Sequence, residues 1–158
     1  MIKKILPFLF IVLLLAILIF GFAMKNRINN SLSEILQQQA FPEIMLSSEA
    51  SVDSLYNYSG NNSDYEITFL EFGAKGCSAC KRMEGVMEEI NDKYAGKVNV
   101  VFINVLLPGS QDLMKYYGIA AIPTQVLLNR KGKEYFRHTG FISAEDIEKE
   151  FYKNPGSG

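Results

Sequence analysis

Hydrophobic and polar positions divide this chain into three unlike stretches. Ile5 to Met24 is a 20-residue run in which only Pro7 and Gly21 fall outside the apolar set, and it contains no charge. At about 1.5 Å of rise per residue, a helix of that length spans roughly 30 Å, the hydrocarbon thickness of a bilayer. Lys25 to Asp64 is rich in Asn, Ser and Gln, with Ile28, Leu32, Ile35 and Leu36 at helical spacing between Asn29 and Gln39. This pattern predicts a short amphipathic helix stopped by Pro42, then loop from Ser47 to Asp64, with the Asn57-to-Ser63 cluster as its clearest turn signal.

From Tyr65 onward the elements become short and regular. Glu66 to Phe72 alternates and is aromatic and β-branched enough for a strand. Met83, Val86, Met87, Ile90 and Tyr94 fall on one helical face, and Gly96 closes that helix. Val98 to Val105 is a nearly continuous apolar run, which predicts a strand buried on both faces of a parallel sheet. A short helix over Gln111 to Tyr117 follows Pro108-Gly109. Gln125 to Leu128 and Lys133 to His138 make a hairpin around Asn129-Arg130-Lys131-Gly132, and Ser143 opens a last helix with Glu145 and Asp146 in its first turn. The order is a βαβ unit followed by a ββα layer, which predicts an α/β fold with a mixed sheet of about four strands flanked by helices.

The apolar run bears on compartment. A cleavable signal usually has a shorter apolar stretch, of about 7 to 15 residues, before a small-x-small site. Gly21-Phe22-Ala23 passes as such a site, but the length favours an uncleaved anchor, with the membrane crossed by residues 5–24. Lys3 and Lys4 face Lys25 and Arg27 across the run, and the short N-terminal side is the one easily kept in the cytoplasm. The expectation is a single-pass protein of the cytoplasmic membrane whose C-terminal domain lies on the extracytoplasmic side. The corresponding division is an anchor over 1–25, a spacer over 26–64, a domain over 65–153 and a disordered tail over 154–158. In a rival reading the amphipathic helix packs on the domain as an extra first element, and sequence leaves both open.

Composition adds exclusions. A chain of 158 residues suits one domain plus a tail, and a monomer is expected. From Lys25 onward there are 14 basic and 17 acidic residues, without the clustered basic surplus of a nucleic-acid-binding surface.

The two cysteines form one motif, Cys77-Ser78-Ala79-Cys80, at the junction of the first strand and the following helix. A thiol there faces unpaired N–H donors and the positive end of the helix dipole, so its thiolate is stabilised. Lys75 and Lys81 add to that field. Cys80, one turn further in, is expected to be the more buried sulfur. A structural bridge would stabilise little, because the loop it closes is so short. Zinc needs about four ligands, and this chain offers one CxxC and one His, so no metal is expected. His138, the one imidazole, falls on the last strand at a structural or solvated position. A redox-active dithiol is the leading reading, and it needs no cofactor, since the sulfurs themselves carry the electrons.

The stretch Phe72-Gly73-Ala74-Lys75-Gly76-Cys77-Ser78-Ala79-Cys80-Lys81 resembles the active-site segment of the thioredoxin superfamily. Tyr117-Gly118-Ile119-Ala120-Ala121-Ile122-Pro123-Thr124 is similar to its cis-proline segment, and Thr139-Gly140-Phe141 to its final active-site loop. The resemblance covers residues 66–153 and implies a thioredoxin-like fold with a cis Ile122-Pro123 bond. It further implies that Ala121, Ile122, Pro123, Thr139, Gly140 and Phe141 form the substrate-binding rim, where an extended client chain pairs by main-chain hydrogen bonds.

Glu71 occupies the place of the family's buried acid, which implies that it takes the proton of Cys80 when that residue resolves a mixed disulfide. Were Leu70 and Phe72 the buried residues of an alternating strand, Glu71 would instead face outward. Phe102 stands where the family commonly has a Lys beside this acid. Gly76 replaces the usual Trp before the first Cys, and Ser78-Ala79 the usual Gly-Pro between them, so the thiolate's surroundings differ from the family pattern.

The function expected from all this is a membrane-tethered, extracytoplasmic thiol–disulfide oxidoreductase that reduces disulfides of envelope client proteins through a mixed-disulfide intermediate. Its partners would be client proteins with disulfides and a membrane or envelope electron donor, with Cys77, Cys80 and Glu71 carrying the chemistry. The alternatives are the same site run as oxidase or isomerase, or a non-catalytic binding module using the groove beside Pro123.

Overall fold

The computed structural model describes residues 2–61 and 63–154. The tail expected over 154–158 lies, from residue 155 on, outside the described residues. The described residues form eleven elements: α1 (Ile2–Gln38), α2 (Pro42–Tyr56), α3 (Tyr58–Asn61), β1 (Ile67–Gly73), α4 (Ser78–Lys93), β2 (Val98–Asn104), a 3₁₀ turn (Pro108–Ser110), α5 (Gln111–Tyr116), β3 (Thr124–Leu128), β4 (Glu134–Thr139) and α6 (Ala144–Phe151). The strands form one sheet in the order β2-β1-β3-β4, with β1 and β2 parallel and the other pairs antiparallel.

The sheet separates two apolar layers. On one side Leu70, Phe72, Val126 and Leu128 meet Val52 and Tyr56 of α2 and the α5 segment with Tyr117 and Ile119. On the other, Ile67, Phe69 and Leu127 meet Met83, Val86 and Ile90 of α4 and Ile147 and Phe151 of α6. β1 is buried on both faces along its whole length because it is central and both layers cover it. The α4 pattern read from sequence is the face that packs here. Ser143 caps α6 by accepting from the N–H of Asp146 at 3.2 Å.

Two expectations need correction. β2 is not a central strand buried along its length: it is the outer strand, paired only with β1, and although Val98 reaches one layer and Ile103 the other, most of it is half-buried and Phe102 is 43% exposed. Its continuous apolar run reflects alternate packing into the two layers, Val98 and Val100 on the α4 side and Val101 and Ile103 on the other. Nor is the stretch from Ser47 a loop, because Pro42 sits in the first turn of α2 and starts that helix, where its missing N–H costs nothing. Ser48, Val52 and Tyr56, four residues apart, bury one face of α2. Tyr58 N–H donates to the Arg130 carbonyl, Asn57 bridges to Lys131, and Arg130 donates to the carbonyls of Ser63 and Tyr65. Residues 42–61 therefore belong to the folded domain rather than to a spacer.

α1 continues past the apolar run, and its axis bends by 47° between its Phe10–Met24 and Arg27–Gln38 stretches. Among the described residues no single helix is long and apolar enough to cross a membrane, although this bent pair passes that test together. The second stretch packs against α5 and β4. Gly118, at φ +57°, lies so close to the Ser33 carbonyl that a Cβ would collide with it, and Ser33 is buried. Of the two readings of this helix, the one that packs it on the domain is the one observed.

Candidate active site

β1 ends at Gly73, and the chain turns through Ala74–Gly76 into α4. Gly76 adopts φ 92°, a conformation open to glycine and costly for the Trp it replaces. Cys77 is the N-cap of α4: its N–H donates to the Ala74 carbonyl at 3.3 Å, and its Sγ accepts from the N–H of Cys80 at 3.2 Å. Cys77 and Cys80 are joined in a disulfide with Cα atoms 5.2 Å apart. Cys77 is half-buried and Cys80 buried, so one sulfur faces solvent and the other faces the core.

Glu71 is 0% exposed, which removes the outward-facing alternative. Residues 71 and 73 share a face of β1, and a Cβ on Gly73 would touch Cys80 Cβ at 3.4 Å, so Glu71 looks toward the layer that holds Cys80. Its neighbours in register are Phe102 on β2 and Gln125 on β3, neither of them charged. Burial raises its carboxyl pKa to about 8, and the Gln125 amide draws it partly back, although no hydrogen bond between the two reaches standard geometry. Near neutral pH the group is thus poised to exchange a proton. Gln125 was not singled out in the sequence, yet a lone amide in Thr124-Gln125-Val126-Leu127-Leu128, a strand buried throughout, was a visible signal.

The rim residues are assembled by a few short bonds. The Ile122-Pro123 bond is cis. Gly140 N–H donates to the Pro123 carbonyl at 2.8 Å, Thr124 Oγ1 donates to the Ala121 carbonyl at 2.8 Å, and the hydroxyls of Thr124 and Thr139 lie 3.1 Å apart. Ala121, Ile122, Pro123, Thr139 and Gly140 thereby form one unit. Ile122 packs against the cluster that includes Ala74, whose carbonyl receives the Cys77 N–H. Phe141 is tied to α4 from the other side by the Arg82 guanidinium, 4.6 Å from the ring centroid. His138 lies half-buried on β4 with Nε2 3.2 Å from the Phe141 carbonyl. Among the described residues no group of three or more His, Cys, Asp or Glu is arranged to hold a metal ion.

A buried sulfur under a reachable one, on a helix N-terminus and above a proton-exchanging carboxyl, suits thiol–disulfide exchange. The family model of the thioredoxin-like domain matches residues 54–153. Thioredoxin from Haemophilus influenzae is 37% identical over 67 residues, covering 42% of this chain and 60% of that protein, so the chain spans about three fifths of that relative's length. The mitochondrial thioredoxin-2 of Schizosaccharomyces pombe is 29% identical over 122 residues, 74% of this chain and 89% of the relative. The crystal structure of thioredoxin NaTrxh from Nicotiana alata superposes with a TM-score of 0.52 at 30% identity, over 64% of this chain and 83% of that one. These likenesses, with the Cys77–Cys80 pair, support thiol–disulfide oxidoreductase activity. The matched residues take in all four strands and the helix that carries the disulfide, and the chain belongs to the thioredoxin-like domain family.

Proposed function

We propose that this protein is a membrane-tethered, extracytoplasmic thiol–disulfide oxidoreductase that reduces disulfides of envelope client proteins. The observation that carries the redox reading is the Cys77–Cys80 disulfide at the α4 N-terminus, with its inner sulfur on the side of buried Glu71.

In the reduced protein the Cys77 thiolate attacks one sulfur of a client disulfide. A bond forms between Cys77 Sγ and that sulfur, and the other client sulfur leaves as a thiolate. Cys80 then gives its proton to the Glu71 carboxylate and attacks Cys77 Sγ, and the second client sulfur leaves. Two electrons pass to the client, and Cys77–Cys80 is left oxidised. A membrane or envelope dithiol donor restores the pair by the same exchange in reverse. The unit at Ala121, Ile122, Pro123, Thr139, Gly140 and Phe141 holds the client chain as an added strand while this happens. The protein works as a monomer and needs no cofactor.

The tether rests on the apolar run over 5–24 and on the exposure of the large apolar side chains from Phe10 to Phe22 along α1, a surface that lipid would cover. Retention in membranes at alkaline pH, with the domain digested only from the extracytoplasmic side, is the expected behaviour; release of the intact protein overturns the tether.

The redox reading is tested by trapping. Cys80→Ser leaves Cys77 able to attack and nothing to resolve it, so stable mixed disulfides to client proteins accumulate. Client reduction that persists in Cys77→Ser sinks the reading.

A further inference from the structure

We propose that Gln125 is a positioning residue for the resolving step, pairing with Glu71 so that two hydrogen bonds form when Glu71 is protonated and one when it is not. The proposal deepens the reading of Cys77 and Cys80 as a working dithiol and rests on it.

The register of the sheet places four residues in one row: Phe102 beside Glu71, Glu71 beside Gln125, and Gln125 beside His138. Partners in register share a face, here the face covered by α4 and α6. Glu71 and Gln125 are both 0% exposed. Glu71 Oε1 and Oε2 and Gln125 Oε1 and Nε2 all lack a hydrogen-bond partner of standard geometry among the described residues. Buried polar groups are nearly always satisfied, so four such atoms on adjacent strands point to one another.

The chemistry of the two groups is complementary. A protonated carboxyl donates its O–H to the amide oxygen and accepts an amide N–H on its other oxygen. A carboxylate keeps only the second bond, and the amide oxygen then loses its donor. Proton capture from Cys80 therefore closes the pair, and proton release opens it. Of the two register neighbours of Glu71, Gln125 is the polar one. β2 offers Phe102, which does not titrate; α4 offers Cys80, the proton donor, and His138 stands beyond Gln125 on β4.

The test follows reaction of the reduced protein with 5,5′-dithiobis(2-nitrobenzoic acid), which releases one thionitrobenzoate when Cys77 attacks and a second when Cys80 resolves. Gln125→Leu is expected to leave the first release unchanged. The amide N–H bond to the carboxylate is charge-assisted and outweighs the neutral pair, in keeping with the downward pull of Gln125 on the Glu71 carboxyl, so its loss should move the pH midpoint of the second release upward by about one unit, slowing it about tenfold at pH 7. Gln125→Met, with an unbranched side chain, serves where Leu disturbs the sheet. In a Glu71→Gln background the Gln125 substitution should shift nothing further. An unshifted midpoint in both Gln125 variants, or an equal shift without Glu71, overturns the proposal. Absence of any second release from the wild-type protein overturns the dithiol reading itself, a distinct result.

Discussion

The Arg82 guanidinium lies over the Phe141 ring, 4.6 Å from its centroid, and so fastens the last loop of the rim to the helix that carries both sulfurs. Arg82 is exposed, where such a contact contributes about 0.5–1 kcal/mol. Arg82→Ala is expected to raise KM for a protein client by about two- to fivefold through a looser rim. Its reaction with a small disulfide, which does not need the rim, should be unchanged. Steady-state kinetics on the two substrate types check this, and equal losses on both would refute it.

Glu71 makes stability depend on pH in a defined direction. Its carboxyl titrates near 4.5 when unfolded and at about 8 when folded. Between those values the native state holds a proton that the unfolded state has given up, so stability falls as pH rises through that window. The loss amounts to about 3 kcal/mol by pH 7, as an order of magnitude. Glu71→Gln should flatten this slope, with a higher Tm than wild type at pH 8 and little difference near pH 4, as read by thermal unfolding across pH.

Gly73 is closely approached on its side-chain face. A Cβ there would stand 2.8 Å from Phe102 Cε2 and 3.4 Å from Cys80 Cβ. Gly73→Ala should destabilise the protein by about 1–3 kcal/mol. Phe102 is partly exposed and its ring end can be removed, so Gly73→Ala with Phe102→Ala should regain part of that loss in denaturant titrations.

Cys77 accepts the Cys80 N–H at the start of α4, an arrangement that favours its thiolate once the pair is reduced. The pH profile of its alkylation by iodoacetamide should have a midpoint below the ordinary thiol value of about 8.5. A midpoint at or above that value would show that the helix N-terminus confers no activation.

Much of this was legible in the sequence because the deciding signals are local. The face at Met83, Val86 and Ile90, the Ser143 cap and the hairpin at Asn129 depend on residues a few positions apart, and each element formed where its pattern lies. The Cys77 motif and the Ile122-Pro123-Thr124 segment were readable for the same reason. What was not legible depended on tertiary neighbours. Val98 to Asn104 has the composition of a central strand, and only the strand order puts it at the edge. The polar residues over 47–61 read as loop because the surfaces that bury Val52, Tyr56 and Tyr58 come from strands and helices later in the chain. Glu71 was ambiguous between core and surface for the same reason, since alternation alone does not tell that both faces of β1 are covered.

The contact of Ser33 with Gly118 bears on reach. Gly118 lies five residues before Pro123, so the helix leading from the N-terminus is seated on the segment that leads into the rim. If the Phe10–Met24 stretch lies in a bilayer as proposed, the Arg27–Gln38 stretch, seated on the domain, would act as a bracket that limits how freely the domain turns above the lipid. Clients of such a bracketed domain would be chosen by how they present a disulfide as well as by chemistry. Gly118→Ala, which drives a Cβ into the Ser33 carbonyl at a positive φ, should loosen this seat and speed trypsin cleavage at the exposed Arg27, while the Cys77–Cys80 pair remains intact.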